Sequence, residues 1–291
     1  MKRNIKVFDV VNGVILTLLM LLCLYPFLYV IFASLSEPWE LVKHKGLLWR
    51  PLGFSVSGYQ AVLKNRSIIT GYLTTLINLF GGTFLNIVLT LLAAYAISRK
   101  NYLLKKPIII LIVFTMFFNN GIIPRFLVVK SLRLYNTRWS MVLPTAINVF
   151  NLIIMRTAIE ALPDSLEEAA VLEGANDFDI LVRIVTPLIK PTIAVLVLYY
   201  GVAHWNQWYQ ALMYIQSRDK YPLQLVLREI LIGNSTDSMM AGSVDSSGES
   251  AVIGEVIKYA TIIVSTLPIL VIYPLLQKYF VKGMMVGAVK G

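Results

Sequence analysis

Charge is what this chain has least of. Only 14% of its residues are Asp, Glu, Lys or Arg, 57% are hydrophobic, and the mean hydropathy is +0.70. A soluble domain carries about 25% charged and about 45–50% apolar residues. Cys23 is the one cysteine, so no internal disulfide can form, and its apolar surroundings mark it as a core or lipid-facing thiol. His44 and His204 are too few and too far apart in sequence to suggest a metal site. No G-x-x-x-x-G-K-[ST] occurs, so the chain has no phosphate cradle of its own. Together these absences exclude an ordinary cytosolic enzyme, a disordered chain and a secreted disulfide scaffold.

What is present in quantity is long charge-free sequence. A bilayer core about 30 Å thick needs roughly 20 apolar residues of helix. Six runs are long enough: Val10–Ser36, Ser67–Ser98, Pro107–Pro124, Trp139–Met155, Pro191–Ser217 and Tyr259–Gln277. The first follows Lys2, Arg3 and Lys6 as a signal peptide would, but it exceeds the roughly 7–15 residues of a signal core. Backbone groups in lipid must be satisfied within the segment, so the runs are predicted to be helices. The expected fold is an all-α integral membrane protein of six transmembrane helices, forming a single membrane domain over 1–291. Pro26, Gly81, Gly82, Pro144, Gly201, Pro268 and Pro274 fall inside the runs and suit bends or close packing.

Six spans put both termini on one side. With the termini inside, 13 Lys/Arg lie inside and 13 outside, a tie. Density favours that orientation, because four of them fall within Arg99–Lys106. The formal net charge of +10 points first to anionic headgroups and then to an acidic ligand, with no nucleic-acid partner expected. Lys43, Lys45, Arg50, Lys64, Arg66, Arg125, Lys130, Arg133 and Arg138 on the first two outer loops face only Glu37 and Glu40. Such a field could favour an acidic solute. Asn234–Gly248 is Ser-, Asp- and Gly-rich and reads as a polar loop.

The connection Arg156–Lys190 differs from the rest. It holds seven of the chain's sixteen acids: Glu160, Asp164, Glu167, Glu168, Glu173, Asp177 and Asp179. A helix is predicted after Pro163, with Ser165 and Glu168 as a capping box or Asp164 and Glu167 as one in the neighbouring register. Gly174 supplies a left-handed stop. Asn176 or Asp177 can cap a second helix, whose apolar face is predicted at Phe178, Leu181, Val182 and Val185 and whose end is predicted at Pro187. Two such short helices are marginal alone and need a surface to bury their apolar side. An anionic leaflet would repel the acids, so a protein partner suits the pair better.

Glu168-Ala169-Ala170-x-x-x-Gly174, then nine residues, then Ile184 and Pro187, resembles the EAA loop of ABC importer permeases. Thr186 stands where that motif usually has Leu. Ala93–Tyr102, Phe117–Pro144, His204–Trp208 and Tyr273–Gly291 resemble the maltose-type carbohydrate subgroup, most of all its permeases for complex oligosaccharides and polysaccharide fragments. The resemblance implies the type I ABC importer permease fold, with a core permease domain over 67–285 and a cytoplasmic coupling loop over 163–187. It further implies a multi-pass protein of the cytoplasmic membrane that is not itself an enzyme. The implied partners are a second homologous permease subunit, two ATPase subunits that bind ATP and Mg, an extracytoplasmic solute-binding protein, a carbohydrate substrate and membrane lipid. Glu168, Ala169, Ala170, Gly174, Ala175 and Phe178 are the implied ATPase-docking residues. Glu168 thus has two possible roles, docking and capping, which are compatible.

Sugars are held by hydrogen bonds and by stacking on aromatic faces. His204, Trp205, Asn206, Trp208 and Tyr209 offer both chemistries within six residues, and Asn119, Asn120, Asn148 and Asn151 are amides at or within spans three and four. These are the candidate pathway residues; interhelical bonding and an interfacial aromatic belt are their duller explanations. The outer loop Arg218–Lys258 is, by the resemblance, the part that reaches toward the binding protein. An ion-coupled secondary transporter would need ionisable groups within the spans, and no Asp, Glu, Lys or Arg lies inside one. A membrane-embedded glycan or lipid transferase would need convergent acids, a metal site or a nucleophile near a membrane face.

Overall fold

A computed structural model describes residues 7–99, 104–118, 121–232 and 253–271. Among them there is helix and no strand. We number the helices α1 Val7–Ser34, α2 Pro38–Lys43, α3 Ser57–Lys64, α4 Arg66–Ser98, α5 Lys105–Phe117, α6 Ile122–Ser131, α7 Trp139–Thr145, α8 Val149–Glu160, α9 Asp164–Leu172, α10 Asp177–Leu188, α11 Lys190–Trp205, α12 Tyr209–Tyr214, α13 Leu223–Ile232 and α14 Ile253–Val271. Three of these, α1, α4 and α14, are long and apolar enough to cross a membrane unbroken. Three more crossings exist if the bent pairs α5–α6, α7–α8 and α10–α11 each count as one, six in all.

Breaks lie within three of the predicted spans. Span three is interrupted where Gly121 takes φ +71°, and α6 then starts afresh with Pro124 in its first turn, where a missing N–H costs nothing. Span four bends by 52° just after Pro144. Span five stops at Trp205, with Asn206 as C-cap, so Tyr209–Tyr214 is a separate helix. The 16 residues of α11 give about 24 Å of rise. Pro187 does not end α10, which runs to Leu188; the chain turns by 83° into α11 at Ile189. A charge-free run reports transfer cost into lipid, and it carries no information on whether the helix inside it is continuous.

The chain divides into two compact units. In the first, which takes in residues 1–69 and 227–269, Ala33, Leu41, Leu48 and Val256 form a buried cluster flanked by Tyr29, Phe32, Leu52 and Tyr259. Tyr25 Oη accepts from the Leu48 backbone N–H at 2.9 Å, and the Ser34 and Tyr59 hydroxyls are hydrogen-bonded to each other at 2.7 Å. The most apolar stretch of α1 has no buried residue. A helix apolar all round and uncovered by the described residues suits lipid or a neighbouring subunit.

The second unit takes in residues 70–226. Its core joins Ala94, Tyr95 and Ile97 of α4 to Leu152, Met155 and Ile159 of α8, Ala170 of α9, Ile180, Leu181 and Val185 of α10, and Leu196 of α11. Small residues set the closest approaches. A Cβ on Gly71 would stand 3.2 Å from Leu223 Cα, and Thr75 Oγ1 accepts from the Leu223 N–H at 2.9 Å. In lipid, helix association rests on such van der Waals fit and on interhelical hydrogen bonds. Elsewhere in this unit Asn136 adopts φ +57° and staples two connections: its N–H donates to the Tyr214 carbonyl, and its Oδ1 accepts from the Gln216 and Ser217 N–H groups.

Candidate functional site

The acidic loop is built from local signals with one long-range correction. The N-cap of α9 is not at the position either predicted capping box requires. Pro163, held at φ −63° and ψ 132°, occupies the N-cap position of α9 and has no side-chain cap. Asp164 and Ser165 therefore lie inside the first turn, where Asp164 and Glu167 face the positive end of the helix dipole. The other end follows the prediction. Gly174 takes φ +82°, its N–H donates to the Val171 carbonyl, and the Ala175 N–H reaches back to the Ala170 carbonyl, both at 3.0 Å. This is a Schellman closure. Asn176 Oδ1 then caps α10 by accepting from the Asp179 N–H at 2.9 Å.

The predicted apolar face of α10 is half right. Leu181 and Val185 are buried, but Phe178 and Val182 are exposed and Ile180 is buried in their place. Val182 falls inside the wide π turn over Ile180–Val185, which departs from the 3.6-residue register, whereas Phe178 precedes that turn.

Glu167 does not cap α9 because a cation 68 residues away holds it. Arg99, just past the end of α4, donates from both terminal nitrogens to its two carboxylate oxygens, Nη2 to Oε1 at 2.6 Å. The Arg99 guanidinium also lies 3.8 Å from the centre of the Tyr95 ring. Next to this pair, Glu160 takes Lys105 at 2.8 Å and Arg156 at 2.9 Å, and Lys105 also donates to the Ser98 carbonyl. Charge-assisted bonds of this kind contribute about 1.5–3 kcal/mol each where water is partly excluded. The opposite side of the loop is open. Glu168, Ala169, Glu173, Gly174, Asp177 and Phe178 are exposed, Ala175 is half-buried, and Ala170 is buried in the core. Leu172 is 88% exposed and Phe178 68%. Large apolar side chains rimmed by acids mark a surface for a partner.

The candidate pathway residues fall into two groups. His204 and Trp205 are buried, 3% and 4% exposed, and pack toward α4. The His204 ring covers Gly82, where an added Cβ would come within 2.6 Å of Cε1 and Nε2. Its Nε2 lies 3.3 Å from Asn86 Oδ1, and Trp205 meets Tyr72 edge to face at 6.2 Å. Asn206, Trp208 and Tyr209 are exposed, with the last two rings edge to face at 5.6 Å. Asn148 is the side-chain cap of α8, accepting from the N–H of the buried Asn151 at 3.1 Å. Asn119 and Asn120 lie outside the described residues, as do Asn234–Gly248 and Tyr273–Gly291.

A polar seam that sequence reasoning missed ties the break in span four to its neighbours. Asn86 Nδ2 donates to the Thr145 carbonyl at 3.0 Å. Tyr200 Oη accepts from the Asn148 N–H at 3.0 Å and pairs with Thr90 Oγ1 at 2.8 Å. Gln207 Nε2 donates to the Met141 carbonyl. Side chains of α4, of α11 and of the residues just after it thus satisfy backbone groups around Pro144, as a broken helix at membrane depth requires. The signal was available: Asn78, Gly82, Asn86, Thr90 and Ala94 recur every fourth residue along a charge-free run. Replacing Tyr200 with Phe removes one hydroxyl that serves two partners. We expect a loss of about 1–3 kcal/mol in stability, read as a lower midpoint in thermal unfolding of the detergent-solubilised chain. An unchanged midpoint would mean that the break does not depend on this bond.

Residues 87–286 match the family described as binding-protein-dependent transport system inner membrane component. The chain belongs to that family. The matched segment takes in the last third of α4, the acidic loop and the 204–209 cluster. Over 287 residues, 98% of this chain and 99% of that protein, the permease is 40% identical to the polygalacturonan/rhamnogalacturonan transport system permease protein YtcP of Bacillus subtilis. It is 37% identical to protein LplC of the same organism over 286 residues, 98% of this chain and 96% of that one. Its structure superposes with a TM-score of 0.86, at 30% identity and covering 96% and 99% of the two chains, on the crystal structure of a bacterial ABC transporter involved in the import of the acidic polysaccharide alginate.

Proposed function

We propose that this chain is one of two permease subunits of an ATP-binding-cassette importer that moves fragments of an acidic polysaccharide across the cytoplasmic membrane. The observation that carries the reading is the closed, capped loop around Gly174, anchored on one side by Arg99 and presenting Glu168, Leu172 and Phe178 on the other. A separate ATPase subunit, which binds ATP and Mg, receives that open side in a groove. Glu168, Ala169, Gly174 and Phe178 face it, with Ala170 and Ala175 setting the corner behind them. The loop over 163–187 and both termini are then cytoplasmic, within a core permease domain over 67–285. Swinging a gate from 1:99 to 99:1 takes about 5.5 kcal/mol of differential binding. A loop that has buried its root and closed both helix ends can transmit such a load; a flexible connector cannot.

The acidic class of substrate is supported by two relatives, one named for polygalacturonan and rhamnogalacturonan and the other for alginate. The surplus of Lys and Arg on the first two outer loops agrees with it. On the sugar path, Asn206, Trp208 and Tyr209 offer accessible amide and aromatic faces. His204, Trp205, Asn148 and Asn151 line the helices behind them, and Asn119 and Asn120 complete the candidate set. A solute-binding protein delivers the substrate to the outer side, toward the loop Arg218–Lys258.

The test is ATP hydrolysis by the complete complex in proteoliposomes with its binding protein loaded by defined saccharides. Uronate oligomers should stimulate hydrolysis about tenfold more than neutral oligomers of equal length and concentration, equivalent to about 1.4 kcal/mol of discrimination. Equal stimulation removes the acidic assignment, and no stimulation by any saccharide removes the importer of sugars.

A further inference from the structure

We infer that the Arg99–Glu167 pair is the fastening through which movement of the acidic loop reaches the long helix α4, and that Glu167 and Glu168 divide two tasks between them. The inference rests on the importer reading above. Neighbouring residues on a helix point about 100° apart, so two adjacent carboxylates cannot face the same object. Glu168 is exposed. Glu167 is turned back onto its own chain, bound through both oxygens to Arg99, with side-chain exposures of 29% and 27%.

A two-point carboxylate–guanidinium contact fixes orientation as well as distance. The second face of the Arg99 guanidinium lies on Tyr95, which is itself buried in the same core as Ala170 of α9. Thus Glu167 ties α9 to α4 at the rim, and Ala170 of α9 belongs to the same buried core as Ala94, Tyr95 and Ile97 of α4. The convergence of Lys105 and Arg156 on Glu160, four residues before α9, braces the same end. From Arg99 the chain runs back 17 residues to Gly82, a rise of about 26 Å. There α4 meets His204 and carries Asn86 into the seam that holds the break in span four. A tilt of α9 therefore has a stiff route to that seam besides the covalent route through α8 and α10. Arg99 and Glu167 are positioning residues in this scheme, acting through α4 and α9.

The experiment uses the full complex in proteoliposomes with Arg99→Gln, Glu167→Gln, Arg99→Lys and the exchanged pair Arg99→Glu with Glu167→Arg. Both Gln variants should retain the ATPase subunit on purification but move about tenfold less sugar per ATP hydrolysed. The exchanged pair should recover much of that ratio. Arg99→Lys should fall between, because an ammonium cannot reproduce the two-point contact. Three results overturn the proposal: Gln variants with the parental ratio, an exchanged pair no better than the single variants, or loss of the ATPase subunit from Glu167→Gln as complete as from Glu168→Lys. A parental complex that hydrolyses ATP without moving sugar would instead strike the importer reading itself.

Discussion

Glu168→Lys is expected to abolish ATP-driven transport while leaving the chain folded and inserted. Its side chain is exposed and, among the described residues, takes no part in the ion pairs that brace the loop, which use Glu160 and Glu167. Reversing its charge therefore removes nothing from the fold. At the proposed docking surface the effect should be large. Truncating or reversing one member of a buried interfacial charge pair costs about 2–5 kcal/mol, roughly 30- to 5,000-fold in affinity. The ATPase subunit should be lost from the complex on purification, with helical content and thermal midpoint unchanged. Glu168→Gln should do less, because it removes the charge and adds no repulsion. Full recovery of the ATPase subunit with Glu168→Lys would show that the loop docks by some other side.

The loop was legible where its signals are local. Gly174 and Asn176 act on the backbone within three residues of themselves, so the left-handed stop and the second cap could be read directly. Glu167 could not be read that way. A capping box is a local preference worth about 1 kcal/mol, and here it competes with an arginine brought in by the tertiary fold. It also lost its starting point, because the extended backbone of Pro163 takes the N-cap position. The exposure of Val182 was no easier to read: it lies in the wide turn at Ile180–Val185, and apolar spacing assumes a constant pitch.

The spans show the same division. Their number follows from the cost of charge in lipid, a property of composition. Their breaks follow from where neighbouring side chains can accept freed backbone groups, a property of packing. Asn86, Tyr200 and Gln207 supply those groups, from parts of the chain up to 121 positions apart, and only the four-residue recurrence along α4 hinted at it. The aromatic cluster at 204–209 was the louder signal in sequence, yet the structure turns two of its members into packing against Gly82 and Tyr72.

That packing sets up the second large effect. Gly82→Leu is expected to destabilise the second unit by about 3 kcal/mol or more and to end transport with it. The first added atom alone would sit 2.6 Å from two atoms of the His204 imidazole and 3.2 Å from a third. The ring is buried and close to Asn86, so it cannot swing aside as the tip of a flexible surface side chain would. Overpacking a filled site costs about 1–3 kcal/mol for small insertions, and leucine adds three more carbons beyond the clash. Displacing His204 also disturbs Asn86, which holds the Thr145 carbonyl at the break in span four. Removing the obstacle distinguishes this cause from general damage to a helix. Gly82→Ala should lower the thermal midpoint, His204→Ala should lower it through a cavity and a lost polar contact, and the double variant should be more stable than the sum of the two losses, by about 1–3 kcal/mol of coupling. Strict additivity between positions 82 and 204 would mean that the ring does not rest on the glycine, and that the seam is held by something other than this contact.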